Sequence, residues 1–270
     1  EEIKETSVLE SLKNIITNRP LLAVILANFF NSFKSVGGSS ESYFWLNNTG
    51  SLLNQTICGL FTGIPNYIMV PVAAKMVKKW GARATSIIAG LFGFFAYMTL
   101  FFVGFHPFGQ TFKDHYIFNL IWVIFGLTIC GLPNKILNVS GQIVTAEALD
   151  YMEWKHGLRN EALVTTVQGY FGKLATSVTG WLSGMVLTWI NYVPLTDSLG
   201  NAIPQTDPTM LNGIWAIFCI LPALARGLYG VSFIIYPIHG DLQQQMIVEL
   251  AEKRAQRLAE QDAKDHQANA

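Results

Sequence analysis

Lys173 stands within the run VTTVQGYFGKLATSVTGWLSG, a stretch that otherwise holds no charge. An ammonium group among apolar residues is costly to hold in hydrocarbon and faces a cavity or a partner. At about 100° per residue on a helix, Lys173 shares a face with Thr166, Gly169, Ser177, Gly180 and Gly184. That face is small and polar. It suits a wet cavity near Lys173 and a helix-packing seam at Gly180 and Gly184. Lys34 and Glu41 lie seven residues apart, almost on one face. They form either an internal pair that offsets the cost of both charges or part of a ligand site. Asn134, Asn138 and Gln142 repeat at i, i+4 and i+8, beside Lys135. Such an amide stripe can hydrogen-bond the hydroxyls of a sugar or hold helices together. Pro133 is expected to kink this helix and free a carbonyl near the stripe. Arg226 reads as a snorkelling or lipid-facing residue at the end of its helix.

Hydrolytic and nucleotide chemistry are excluded by what the chain lacks. It has no GxSxG, HExxH or Walker A pattern, and no GxGxxG opening a helix. His106, His115, His156, His239 and His266 are scattered, so no metal and no cofactor is expected. Cys58, Cys130 and Cys219 sit in apolar runs with no CxxC pairing and read as buried thiols. Polar groups inside apolar helices, without a catalytic motif, point to permeation and not to an enzyme.

The elements that must position these residues follow from composition. Of 270 residues, 51% are hydrophobic and only 13% are charged, about half the charge of an ordinary soluble domain. Eighteen basic and eighteen acidic residues leave no net charge, which excludes a basic nucleic-acid binder and a disordered chain. The apolar residues come in six blocks near the ~20 residues that cross a bilayer: about 20–46, 52–77, 84–105, 116–146, 162–190 and 210–238, spans A to F. With six spans both ends lie on one side. Thirteen of the eighteen basic residues fall on that side, only Lys113 falls opposite, and Lys34, Lys135, Lys173 and Arg226 fall within spans. The bias predicts cytoplasmic termini. The sequons at Asn47, Asn54 and Asn138 read as chance matches. Leu242, Met246, Leu250 and Leu258 predict an amphipathic helix in the polar tail.

The joint between spans D and E carries the most specific pattern. The stretch AEALDYMEWKHGLRNEALVTTVQGYFGKLATSVTGWLSG resembles the glycoside–pentoside–hexuronide:cation symporters, relatives of the melibiose carrier in the major facilitator superfamily. The residues that carry the resemblance are Glu147, Asp150, Tyr151, Glu153, Trp154, Lys155, Gly157, Arg159, Glu161, Gln168 and Lys173. Glu147 stands where the family usually has Asp, and Met152 where it usually has Gly. The resemblance extends more loosely to NRPLLAVILANF, PVAAKMVKKWGAR and YPIHGD. It implies an all-α membrane protein whose six transmembrane helices form the C-terminal half of a major facilitator fold, helices seven to twelve. Residues 1–19 would end a cytoplasmic linker, 20–238 the membrane domain and 239–270 a cytoplasmic tail. A first residue of Glu, not Met, fits the same expectation.

The resemblance further implies a secondary transporter in a bacterial plasma or inner membrane. It would take up a glycoside, pentoside or hexuronide with Na⁺ or H⁺ by alternating access. Its partners would be the sugar, the coupling cation, the bilayer and the N-terminal six-helix half, with no nucleic acid. The coupling ion would be held mainly by acids of that N-terminal half. Lys173 would lie near the sugar and cation sites, and Gly169 and Asn138 would face the sugar, with Thr166, Gln142, Asn134, Lys34 and Glu41 as further candidates. The excess of intramembrane lysines over Glu41 would answer N-half carboxylates or favour an anionic sugar. Asp150, Tyr151, Glu153, Trp154, Lys155, Arg159 and Glu161 would form a cytoplasmic gate, in which Lys155 and Arg159 stabilise the outward-facing state. The alternative is a membrane-embedded sensor or scaffold built on a transporter-like half.

Overall fold

The computed structural model describes residues 18–105, 115–157, 161–199, 202–204 and 206–268. Helix α1 (Arg19–Ser32) begins where Asn18 accepts a hydrogen bond from the Leu21 N–H at 3.2 Å, with Pro20 in the first turn. Span A was expected to be continuous, and Arg19–Thr49 does run as one span, with a local break in its hydrogen bonding at Phe33, which keeps helical φ and ψ. The Ser32 and Ser35 hydroxyls donate back to the carbonyls of Asn28 and Ser32, the local competition that bends helices. Helix α2 (Lys34–Phe44) follows, then a π turn (Trp45–Thr49) closed by Gly50 at φ 72°. The break makes Lys34 the first residue of α2.

Helix α3 (Leu53–Phe105) has 53 residues, about 80 Å of helix against a hydrocarbon core of about 30 Å. It is interrupted at Gly81, whose φ of 80° and ψ of 161° suit glycine alone. Two arms result, and their register on helix α4 (Tyr116–His156) fixes their directions. On the first arm Asn54 donates to the Tyr116 hydroxyl and Asn66 packs on Gly131. On the second, Leu100 meets Gly126 and Ser86 donates to Ser140. Rising numbers thus pair with rising numbers on one arm and with falling numbers on the other. The arms are antiparallel, and Gly81 closes a helical hairpin that separates spans B and C as expected.

Helix α4 does not stop at 146. It runs through Pro133 and the charged motif to Gly157, a left-handed cap whose N–H bonds to the Glu153 carbonyl at 2.8 Å. Helix α5 (Glu161–Trp189) packs on α1 and α2. A two-stranded antiparallel hairpin, β1 (Leu195–Thr196) with β2 (Ala202–Ile203), forms in the following joint, with Leu195 opposite Ile203. Helix α6 (Pro208–Ser232) starts at an Asp207 cap and is the most enclosed, lying against α1, α2 and α3. Small residues let it approach closely. A Cβ on Gly37 would sit 2.5 Å from Pro222, and one on Gly90 would sit 2.7 Å from the Gly230 Cα. A 3₁₀ turn (Phe233–Ile235) leads to helix α7 (Asp241–Ala268), which seats Met246 and Leu250 in the core and leaves Leu258 exposed.

Among the described residues, four helices are long and apolar enough to cross a membrane by length and composition: Arg19–Thr49, Leu53–Val103, Tyr116–Lys155 and Pro208–Ile235. The second of these is the Gly81 hairpin. Helix α5, which carries Gln168, Lys173 and seven threonines and serines, is not among the four. A small apolar cluster of Val36, Val186 and Ile217 joins α2, α5 and α6, and two larger ones hold the helices. One gathers Leu21, Val24, Ile136, Val144, Tyr229, Tyr236 and Met246. The other gathers Phe44, Trp45, Leu100, Ile214 and Phe218, with Phe44 stacked on Phe218 at 4.9 Å.

Candidate functional site

Along α1–α2, α4 and α6 the polar residues fall in sequence between those two clusters. Lys34 follows Ala27 and precedes Phe44, Asn134 lies between Cys130 and Ile136, and Arg226 lies between Phe218 and Tyr229. All three line one cavity of about 370 Å³, with Glu41, Asn66 and Tyr97. Arg226 is only 2% exposed, so it is neither snorkelling nor lipid-facing as its sequence position suggested. Its stem passes over Gly93, where a Cβ would stand 3.1 Å from its Cγ. Its Nη1 donates to Asn31 Oδ1 at 2.9 Å, and its Nε has no partner. Lys34 and Glu41 face the same cavity without pairing. Among the described residues, none of Lys34, Glu41 and Arg226 joins an ion pair. The buried Oδ1 atoms of Asn66 and Asn134 are also without partners.

The amide stripe of α4 divides. Asn134 faces this first cavity. Asn138 and Gln142 line a second one of about 490 Å³ with Asn28, Asn31, Thr145, Gln168 and Tyr229. Asn31 lines the second cavity while it accepts from Arg226, which lines the first, so this hydrogen bond links the linings of the two. Gln168 offers a buried Nε2 with no partner. The two cavities therefore present donors and acceptors of several amides, one guanidinium, one ammonium and one carboxylate, the set that recognises a polyhydroxylated solute. Lys135 lies apart from both, with its Nζ 4.5 Å from the centre of the Tyr67 ring.

Helix α5 tells a different story. Thr166, Gly169 and Lys173 are exposed and line neither cavity. Nothing in the described chain lies within 4 Å of a Cβ placed on Gly169, Gly180 or Gly184. The Gly180–Gly184 seam thus packs against no helix here. The Thr166 and Ser177 hydroxyls donate to the carbonyls of Ala162 and Lys173. The lysine face is an open surface of this chain.

At the far end of α4 the charged motif meets the tail. Arg254 bridges Asp150 at 2.8 Å and Glu153, and Arg257 reaches Glu153 at 3.3 Å. The Trp154 indole donates to Glu249 at 2.6 Å, and Tyr236 and Gln243 both donate to Glu147. Hydrogen bonds from Gln245 and Trp154 lower the Glu249 pKa from its ordinary value, and the two carboxylates hold Arg254 more firmly protonated. Of the basic residues expected at the cytoplasmic gate, Lys155 stands exposed over the Tyr151 ring and Arg159 lies outside the described residues, and the tail arginines engage the acids. Glu161 opens α5 as a first-turn acid. Arg226, Asn31, Asn66 and the tail arginines are the residues that sequence reasoning missed. For Arg226 a signal existed: Ala223, Ala225, Gly227 and Gly230 surround it, and small neighbours mark a packed helix face.

Comparison with known proteins adds a frame. The family described as MFS/sugar transport protein matches residues 1–240. The uncharacterized symporter YjmB of Bacillus subtilis is 30% identical over 255 residues, 93% of this chain and 50% of that protein. The isoprimeverose transporter of Lactiplantibacillus pentosus is 22% identical over 94% of this chain and 49% of its own length. The glucuronide carrier protein homolog of Escherichia coli is 22% identical over 93% and 51%. The chain spans about half the length of these curated relatives.

Proposed function

Because the chain belongs to the MFS/sugar transport protein family, a family of multi-pass membrane transporters and not of enzymes, we propose that it is the C-terminal half of a carrier that takes up a sugar with Na⁺ or H⁺. The observation that carries this reading is the pair of polar cavities joined at the Arg226–Asn31 bond, with unpartnered polar atoms on Asn66, Asn134, Gln168 and Arg226. Buried polar groups are costly unless bonded, and sugar hydroxyls supply both donors and acceptors.

In this proposal the two arms of α3 and the helices α1–α2, α4, α5 and α6 are the six spans, with both ends cytoplasmic in a bacterial plasma membrane. The open α5 face, with Thr166, Gly169 and Lys173, looks onto an N-terminal six-helix half across a path in which the sugar binds near the midplane. Gly169, Asn138, Gln142 and Asn134 contact the sugar. Lys173, Lys34 and Glu41 take part in binding or coupling, and acids of the other half hold most of the cation. No organic cofactor is required. Alternating access rocks one half against the other. The cytoplasmic side is closed around Asp150, Tyr151, Glu153, Trp154 and Glu161, with Lys155 and Arg159 stabilising the outward-facing state. Relatives named symporter, isoprimeverose transporter and glucuronide carrier support ion coupling and a sugar substrate.

The test is uptake of labelled isoprimeverose and glucuronides by proteoliposomes holding the full-length carrier. An imposed Na⁺ or H⁺ gradient should drive accumulation. Accumulation of neither sugar under either gradient contradicts the proposal.

A further inference from the structure

The cavity at Lys34 has an electrical imbalance. Its lining carries two cations, Lys34 and Arg226, against one carboxylate, Glu41. None of the three is ion-paired among the described residues. Arg226 is 98% enclosed, yet of its five N–H donors one is bonded, to Asn31, and its Nε has no acceptor. A guanidinium removed from water is costly until acceptors surround it. Asn31 is a neutral acceptor and offsets little of the charge. Glu41 stands on the same wall and pairs with neither cation, so it balances charge only at a distance.

We infer that this cavity is an oxyanion subsite that seats the carboxylate or sulfonate of an acidic sugar between Lys34 and Arg226. One such monoanion brings the lining to neutrality and supplies acceptor-only oxygens to the free guanidinium edge, the charge-assisted geometry that arginine favours. Glu41 and the unpartnered amides of Asn66 and Asn134 are then left for the ring hydroxyls. The volume of about 370 Å³ lies within the size of small-molecule sites. Lys173 lines no part of this cavity, so the acid group is read away from the α5 lysine. The inference rests on the sugar-carrier reading but concerns binding, not transport.

The purified full-length carrier is titrated calorimetrically with glucuronate, with 6-deoxy-6-sulfoglucose and with glucose, which share a ring and differ at the acid group. One or both acids should bind at least about tenfold more tightly than glucose, and the tighter of the two identifies the oxyanion. Lys34 is at the exposed rim, so Lys34→Gln is a tolerable change. It should cut the acid-over-glucose ratio about tenfold, and Lys34→Arg should keep most of it. An acid-over-glucose ratio near one in the wild type, or a ratio unmoved by Lys34→Gln, overturns the inference. So does an equal loss of glucose and acid binding, which would mark Lys34 as a partner of a carboxylate from the other half. Gradient-driven uptake of neutral sugar by the wild-type carrier tests the carrier reading separately, so failure of the subsite is distinguishable from failure of that reading.

Discussion

Arg226 is the residue at which sequence and structure part most clearly. A charge six residues from the end of α6 fits a side chain that reaches for water, and only the small residues around it indicate otherwise. Its enclosure with a free Nε suggests a group kept for ligand and not for fold. Replacing a buried, incompletely paired charge with an apolar side chain of similar volume is often neutral or stabilising. Arg226→Met should therefore melt at the same or a higher temperature than the wild type in detergent, while sugar uptake falls more than about tenfold. A variant that melts lower and transports normally would assign Arg226 to structure. Lys34, Glu41, Asn134, Asn138 and Gln142 were legible because charges and amides are conspicuous in an apolar run. Asn66 was not, since a single neutral amide in such a run carries no spacing signal, whereas Asn28 and Asn31, three residues apart on one face, did carry one. That Asn134 parts from Asn138 and Gln142 depends on neighbours from other helices, which the period of α4 alone does not reveal.

Elements were legible wherever a block of apolar residues ended in a turn, and misread where charge was taken for a loop. Residues 147–156 contain helix formers and no glycine or proline, so α4 continues to Gly157 although the stretch is polar. Charge there governs where the helix leaves hydrocarbon, not where it stops. The break at Phe33 escaped notice because serine back-bonding leaves the apolar pattern intact. Backbone contact between α3 and α6 is a property of the pair of helices. Gly90→Val would force its new carbon into the Gly230 backbone and should destabilise the fold by about 1–3 kcal/mol. Gly184→Val meets nothing among the described residues and should cost less than about 1 kcal/mol. The ranking is read from denaturation midpoints, and equal losses would contradict the packing described. The contact between α4 and α7 has its own signature. Glu249 titrates below its ordinary value, so its stabilising contribution is present above the unfolded carboxylate pKa and is lost as pH falls through the lowered one. Trypsin should therefore cut slowly at Arg254 and Arg257 from pH 7 down to about pH 5, with the tail loosening only below about pH 4. The comparison is made by exposing samples to each pH with cross-linker and digesting at neutral pH. Loosening already near pH 6 would contradict a tail held through Glu249 and the carboxylates that pair with Arg254 and Arg257.

For the whole molecule, the defining feature is an unfinished surface. Helix α5 turns Thr166, Gly169 and Lys173 away from its own neighbours, and no described residue covers Gly169, Gly180 or Gly184. The sequence alone marked this face as small and polar, but could not say whether it packs inside the chain or looks out. Among the described residues it is open, the chain spans about half the length of the relatives it matches, and in the proposed carrier a second half lies across this face. The most direct measurement of this account is thiol labelling of Gly169→Cys in the full-length carrier. The three cysteines of this chain are buried and free, so with any thiols of the other half replaced by serine, a membrane-impermeant maleimide applied to sealed vesicles reads the new thiol. The account predicts labelling through a water-filled path, slowed severalfold by the transported sugar and unaffected by a sugar that is not transported. A thiol that labels at one rate with and without substrate would contradict it.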